Sequence, residues 1–295
     1  MRTDQALSGG NRAVLHRRRL AREALNRIVL YTILAFCGFM FVMPFLWMVL
    51  TSLKQPQEIF TWPPIVFPDS PQWLNYAEAL KYAPFGRYYL NSIFICTLVV
   101  LGTLTSNTLI AYGFSRIHWL GRDVVFIIVL ATMMLPAQVT MIPVYVIFRK
   151  LGWVGSYAPL IVPAYLGSAY FIFLLRQFFR GIPFELSDAA RIDGCSELGI
   201  LRFVILPLSK PALITVTLFS FIYTWNDFLG PLIYLHDEEL YTVTLGLQSF
   251  ISRYWTPMNL LMAASTIAIL PVLVIFIWAQ RFFVEGISIT GLSGR

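Results

Sequence analysis

The side chains best placed for chemistry lie in residues 176–210, a segment of mixed charge between two apolar stretches. Asp188 and Arg191 stand three positions apart, which lets them pair on one face of a helix. Ala189 and Ala190 beside them form a small surface that another protein can approach closely. A small surface next to a carboxylate favours docking into a groove of a soluble partner. The simpler alternative is an amphipathic connector without a partner.

Enzymatic chemistry is not predicted, and we expect neither a catalytic residue nor a metal or cofactor on this chain. The histidines and cysteines are few and widely spaced: His16, His118, His236, Cys37, Cys96 and Cys195. Neither HExxH nor GxSxG occurs, and no CxxC spacing indicates a metal site or a disulfide. The phosphate-binding pattern GxxxxGK[ST] is also absent, so ATP hydrolysis would need another protein.

The composition is that of a membrane protein. The chain is 58% hydrophobic and 13% charged, whereas soluble domains carry about 25% charged residues. Six apolar stretches are each long enough to cross the hydrocarbon core. They cover residues 28–50, 88–115, 124–148, 151–175, 211–235 and 254–280. The net charge of +7 lacks the basic stripe with interleaved aromatics of a nucleic-acid binder, so no nucleic acid is expected.

Positive charges predict the orientation, because Lys and Arg stay on the cytoplasmic side. With the amino terminus inside, that side holds 16 Lys and Arg and the outer side holds six. We therefore predict a multi-pass protein of a bacterial-type plasma (inner) membrane with both termini cytoplasmic. The predicted parts are a basic tail (1–27), a six-helix domain (28–283) and a carboxyl-terminal tail (284–295). The proline-rich stretch 51–87 is expected to form a compact outer lid.

Helix start and stop signals within 176–210 predict two short helices. Pro183 suits the first turn of a helix, Glu185 favours its positive end, and Gly194 is a natural terminator. A second helix is expected over 196–206, ended by Pro207.

These residues carry a family resemblance. Pro183, Asp188-Ala-Ala, Asp193-Gly194 and Leu206-Pro207 resemble the EAA loop of binding-protein-dependent ABC importer permeases, above all the carbohydrate-uptake group of the maltose and glycerol-phosphate type. Agreement continues along the chain at Asn75-Tyr76, Asn91-Ser92, 225–228 and the glycine-rich end 286–294. The resemblance implies an all-α membrane protein of six transmembrane helices, the type I ABC importer permease fold, with a cytoplasmic coupling helix.

The resemblance also implies partners and roles. Two ATPase subunits would bind ATP and Mg, and a second permease, an extracytoplasmic solute-binding protein and membrane lipids would complete the assembly. The coupling helix would sit in a cleft of an ATPase subunit, and the glycine-rich tail would slip between the two ATPase subunits. The residues matched to coupling are Pro183, Glu185, Asp188, Ala189, Ala190, Arg191, Asp193, Gly194, Cys195 and Pro207. Asp188 replaces the family's usual Glu, and Cys195 its usual Ala.

A second candidate region is formed by Trp225, Asn226 and Asp227 near the outer end of the fifth stretch. A carboxylate inside a membrane span predicts a functional role, although solvation or helix capping explains Asp227 equally well. Our hypothesis is that Asn226 and Asp227 form hydrogen bonds at the outer mouth of the pore or with the docked binding protein.

The expected function is import of a sugar, an oligosaccharide or a sugar-like solute. One alternative is an ABC permease for a non-sugar solute. The other is an ion-coupled secondary transporter, which would show charged relays in several spans. Only Asp227 fits such a relay.

Overall fold

The computed structural model describes residues 3–251 and 256–292, and within these ranges the chain forms helices and no strands. The α-helices are α1 (Thr3–Ser52), α2 (Pro56–Ile59), α3 (Leu74–Tyr82), α4 (Phe85–Ser115), α5 (Arg122–Ala131), α6 (Ala137–Lys150), α7 (Ala158–Ile161), α8 (Ala169–Gly181), α9 (Phe184–Ile192), α10 (Glu197–Ile200), α11 (Leu206–Leu208), α12 (Lys210–Trp225), α13 (Leu229–Tyr234), α14 (Val243–Gly246) and α15 (Met258–Leu292). Short 3₁₀ turns and one π-helical stretch, Leu201–Ile205, connect several of them.

The predicted six spans are recovered when two bent helix pairs are counted as one span each. In the described part of the chain four segments can cross a membrane alone: Arg22–Ser52, Phe85–Ser115, Ala158–Gly181 and Met258–Gln280. The first bent pair joins Arg122–Met134 to Ala137–Lys150 at 99°, and the second joins Glu197–Leu208 to Lys210–Trp225 at 81°.

The first and last spans differ from the predicted limits. Helix α1 begins at Thr3, so most of the predicted tail 1–27 shares one helix with the first span. Residue 254, the predicted start of the sixth span, lies outside the described residues, and α15 begins at Met258. The end of the glycine-rich tail, 293–295, also lies outside them.

The third span is not the single helix that we predicted over 124–148. Its helix ends before Pro136, because proline disfavours helical backbone in the residue before it. Leu135 accordingly has an extended conformation, with φ −81° and ψ 116°.

The fourth span begins at Ala158 rather than at residue 151, and it continues to Gly181. Gly152 and Gly155 have φ of 69° and 86°, a conformation that a continuous helix cannot accept. The two residues that separate the predicted stretches 124–148 and 151–175 are therefore replaced by a seven-residue turn region, 151–157, after α6. Arg176, which we assigned to the loop, lies inside α8.

Helix α4 is the centre of the packing, with α8 and α12 against it. At Gly102 of α4 the backbone approaches the 3₁₀ turn Val162–Leu166 so closely that an added Cβ would lie 2.6 Å from ring atoms of Tyr165. Two clusters of buried side chains surround the two ends of α4. The first contains Phe85, Tyr88, Trp225 and Phe250. The second packs Ala111 and Tyr112 against buried side chains of α8, α10 and α12.

The predicted lid, 51–87, contains α2 and α3 and is tied down by Asn75. The Asn75 amide nitrogen donates to the carbonyl oxygens of Ser52 at 2.8 Å and Lys54 at 3.0 Å. The Asn75 amide oxygen accepts from Asn259 on α15 at 3.1 Å. One buried side chain thus joins α1, α3 and α15, which explains why this asparagine belongs in the pattern noted from the sequence.

Candidate functional site

Helix α9 forms where the start and stop signals predict it. Pro183 precedes its first residue, and Glu185 lies in its first turn. The helix is terminated at Gly194, which has φ 84°. The Gly194 N–H donates to the Arg191 carbonyl at 3.0 Å, and the Cys195 N–H donates to the Ala190 carbonyl at 2.9 Å. This pair of bonds is the Schellman arrangement, which satisfies the last carbonyls of a helix.

The second helix of the segment begins as predicted but does not end at Pro207. The Ser196 side chain caps it by accepting from the Gly199 N–H at 3.3 Å. The chain then widens into a π-helical stretch, and the Leu206 N–H bonds back to the Leu201 carbonyl. Pro207 lies in the first turn of α11, where its missing N–H costs no helical bond, so the helix continues to Leu208.

A chain of charge-assisted hydrogen bonds holds α9 against the rest of the protein. Arg191 binds Asp188 at 2.7 Å, confirming the predicted i, i+3 pair, and also binds Glu197 at 2.9 Å. The Tyr112 hydroxyl on α4 donates to the other oxygen of Glu197 at 2.5 Å. The sequence analysis missed Glu197, whose only local signal is its position just after a helix-capping serine.

The outer face of α9 is open and mixed in character. Ile192 is 87% exposed, and Asp188 and Ala189 are also exposed. The predicted small surface is only half right, because Ala190 is partly buried against the second cluster.

The inner face of α9 contacts Arg116, which the sequence analysis used only in counting the positive charges of the cytoplasmic side. Arg116, directly after α4, is 1% exposed. Its guanidinium donates to the Phe179 carbonyl and, at 2.5 Å, to the Ile182 carbonyl. It also lies 4.4 Å from the centre of the Phe184 ring. Its only sequence signal is a position at the end of a long apolar run.

In the second candidate region, Trp225 does not face a pore. It is 3% exposed, and its indole N–H donates to the Ala268 carbonyl at 3.0 Å. Asn226 is exposed, and its amide donates to the Ile222 carbonyl at 2.8 Å. Trp225 is therefore a packing residue that joins α12 to α15.

Asp227 lies in the break between α12 and α13, not inside a helix as the predicted span 211–235 implied. Its Oδ1 accepts from the Gly230 N–H at 3.0 Å, so it caps α13, one of the two explanations left open. Asp227 also borders a cavity of about 220 Å³. Other polar side chains around that cavity are Thr103, Ser168, Ser220, Tyr223, Thr224 and Thr242.

A bundle of broken and unbroken candidate spans, with a short exposed helix between two of them, is the architecture of a polytopic membrane protein. Residues 99–289 match the model of the binding-protein-dependent transport system inner membrane component. The chain belongs to this family, and it is a permease subunit of an ABC importer.

Named relatives match over most of their length. The arabinooligosaccharides transport system permease protein AraQ of Bacillus subtilis is 31% identical, with 92% of this chain and 97% of that protein covered. The trehalose/maltose transport system permease protein MalG of Thermococcus litoralis is 31% identical, with 94% and 100% covered. The sn-glycerol-3-phosphate transport system permease protein UgpE of Pectobacterium atrosepticum is 35% identical, with 78% and 85% covered.

A solved structure shares the fold. It is a chain of a bacterial ABC transporter involved in the import of the acidic polysaccharide alginate, with a TM-score of 0.78 and 26% identity. The match covers 87% of this chain and 95% of that one.

Proposed function

We propose that this chain forms part of the pathway by which a sugar, an oligosaccharide or a sugar-like solute enters the cytoplasm. The relatives named for arabinooligosaccharides and for trehalose and maltose support this substrate class, since each is matched over nearly its whole length. The energy comes from separate ATPase subunits, which bind ATP and Mg.

The observation that carries the coupling role is the exposure of α9 on a firmly held base. The docking face presents Glu185, Asp188, Ala189 and Ile192. The inner face of α9 is held to the rest of the protein by hydrogen bonds, and its docking face is exposed. A soluble partner that binds the docking face can therefore move the membrane helices. That partner is an ATPase subunit, with Asp188 available to an ATPase cation on the side not used by Arg191.

The remaining residues matched to coupling set the shape of the helix ends. Pro183 starts α9, while Gly194 reverses the chain so that Asp193 and Cys195 remain exposed. Pro207 lies just before the 81° bend into α12. In this proposal these residues fix the angle of the docked helix.

The working assembly holds this permease, a second permease, two ATPase subunits and an extracytoplasmic solute-binding protein in a lipid bilayer. Both termini are cytoplasmic, as the excess of Lys and Arg on that side favours. The carboxyl-terminal tail enters the space between the ATPase subunits.

Asp227 has a proposed second role at the solute path, besides capping α13. It borders the cavity of about 220 Å³ together with Tyr223, which is 79% exposed. Hydroxyl, carboxylate and aromatic groups together suit a polyhydroxylated solute. Asp227→Asn keeps a capping acceptor and removes the charge, whereas Asp227→Ala removes both. We expect slower uptake in both variants, and full transport by Asp227→Ala at unchanged expression would refute the role.

The deciding experiment measures ATP hydrolysis by the complete complex in liposomes with its binding protein. The panel is an arabinooligosaccharide, maltose, trehalose, lactose and glycerol 3-phosphate. We expect at least one sugar to raise hydrolysis several-fold. Stimulation by glycerol 3-phosphate alone would favour the non-sugar permease, a reading that the UgpE relative supports. Uptake driven by an ion gradient without ATP would refute ATP coupling.

A further inference from the structure

Two buried arginines cross between the ends of α4 and α8. Arg116, after the last residue of α4, donates to the Phe179 and Ile182 carbonyls at the end of α8. Arg176 on α8 donates from Nε to the Phe114 carbonyl near the end of α4, at 3.1 Å. The two residues are 1% and 5% exposed. Each helix end is therefore held by an arginine that belongs to the other helix.

Each arginine also holds a third element through an aromatic ring. The Arg116 guanidinium lies over the Phe184 ring of α9, and the Arg176 guanidinium lies 3.9 Å from the centre of the Phe126 ring of α5. Arg176 further pairs with Asp123 of α5 at 3.1 Å. The two side chains thus connect α4, α5, α8 and α9.

Capping alone does not account for this arrangement. The last carbonyls of α8 lack partners within the helix, and capping would require donors to these carbonyls alone. Arg116 reaches further, to the Pro183 carbonyl at 3.4 Å and to the Ser187 hydroxyl of α9 at 3.5 Å. Such a spread of acceptors needs the planar, multi-donor guanidinium group, which a lysine ammonium cannot replace.

We infer that Arg116 and Arg176, the arginine clamp, make α9 move as one rigid body with α4 and α8. This inference rests on the proposed coupling role of α9. The clamp residues act as positioning residues, because they touch neither the ATPase nor the solute in this arrangement.

The first test measures rigidity directly in the assembled complex and needs no solute. Spin labels are placed on the native exposed Cys195 and on α4 at Leu109→Cys, with Cys37 replaced by Ser. Distances are measured without nucleotide and after trapping with ATP and vanadate. We expect one unchanged distance distribution in the protein with an intact clamp. Arg116→Met is expected to give different distributions in the two states.

The second test measures coupling as uptake per ATP hydrolysed, with the most stimulating sugar of the panel. Losing the buried charge-assisted hydrogen bonds in Arg116→Met should lower this ratio about tenfold while basal hydrolysis continues. Arg116→Lys should lower it too, because one ammonium cannot bridge the separate carbonyls. Arg180→Met, which removes an exposed charge from the same end of α8, should leave it unchanged.

The outcomes separate the clamp from the coupling role on which it rests. If Arg116→Met does not assemble, Arg116→Lys decides by the same two measurements. A wild-type ratio and one unchanged distance distribution in the deciding variant would overturn the clamp. A changing distribution with the clamp intact would overturn it as well. If the wild-type complex shows no ATP-driven uptake, the proposed function fails instead.

Discussion

Gly194 offers the sharpest test of the coupling role, because its effect is purely conformational. Its φ of 84° is one that L-residues rarely adopt, and an added Cβ would meet no atom within 4 Å. A side chain there would consequently strain the backbone without a steric clash. The perturbation reaches only the turn that ends α9 and sets the direction of the following chain.

The expected magnitudes follow from that geometry. Gly194→Ala should cost about 1–2 kcal/mol, the penalty for a left-handed L-residue. Gly194→Pro cannot reach this φ, because the proline ring fixes φ at about −65°, and it also loses the N–H bond to the Arg191 carbonyl. The native turn is therefore lost altogether in this variant, whereas the cost of about 1–2 kcal/mol in Gly194→Ala lowers its population by roughly a factor of 5–30. Gly194→Asn should cost least, because asparagine tolerates the left-handed region.

The assay compares ATP hydrolysis with uptake for complexes in liposomes. We expect basal hydrolysis and membrane insertion to persist, while uptake per ATP falls in the order Asn, Ala, Pro. Gly181→Ala is the matched control, since its Cβ also meets no atom within 4 Å and its φ is not positive. Full ATP-driven uptake by Gly194→Pro, or equal loss in the Gly181 control, would refute the reasoning.

Three further predictions test the site and its base. Asp188→Lys reverses the charge on the docking face and breaks a 2.7 Å ion pair, so uptake per ATP should fall while hydrolysis continues; unchanged uptake would contradict docking through this face. Gly246→Ala would place a Cβ 2.2 Å from the Tyr88 ring and should cost about 1–3 kcal/mol, seen as a lower melting temperature in detergent, whereas Gly86→Ala has open space and should melt like the wild type. The Glu197 carboxylate accepts hydrogen bonds from both Arg191 and Tyr112, and so joins the end of α9 to α4. Glu197→Gln removes the charge that strengthens both bonds and should therefore melt below the wild type in detergent; an unchanged melting temperature would contradict this assignment.

Helix-starting and helix-ending residues explain why α9 could be predicted from the sequence. Pro183 and Gly194 act within one or two residues of themselves, through a fixed φ and a left-handed turn. The effect of proline on the residue before it could also have been used at Pro136, where the third span breaks. The span 124–148 was instead predicted from its apolar composition alone. The second predicted helix of the segment, 196–206, shows the opposite error. Pro207 was predicted to end it, but the π-helical stretch Leu201–Ile205 is followed by α11, which continues through Pro207 to Leu208.

The base of α9 was not predictable because it depends on residues distant in the sequence. Arg116 binds carbonyls 63 and 66 positions away, and nothing near it in the sequence indicates burial. The prediction that Trp225 lies at the outer mouth of the pore was wrong for a related reason. Its neighbours suggested a polar mouth, whereas its indole N–H bonds to a carbonyl 43 positions away on another span.

The 81° bend at Ser209 is rigid, so that the two helical segments that it joins keep a fixed angle. Ile200 and Ile205 before the bend and Val216 after it are fully buried in one cluster, together with Leu175 of α8. A hinge would have to separate these side chains and open a cavity, which costs several kcal/mol in a packed core. Because both arms share one packed core with α8, a push on α9 should displace α8 and α12 together. In the proposed coupling role, an ATPase subunit would therefore move the membrane helices by rotating this packed unit against its neighbours, with little bending within the loop.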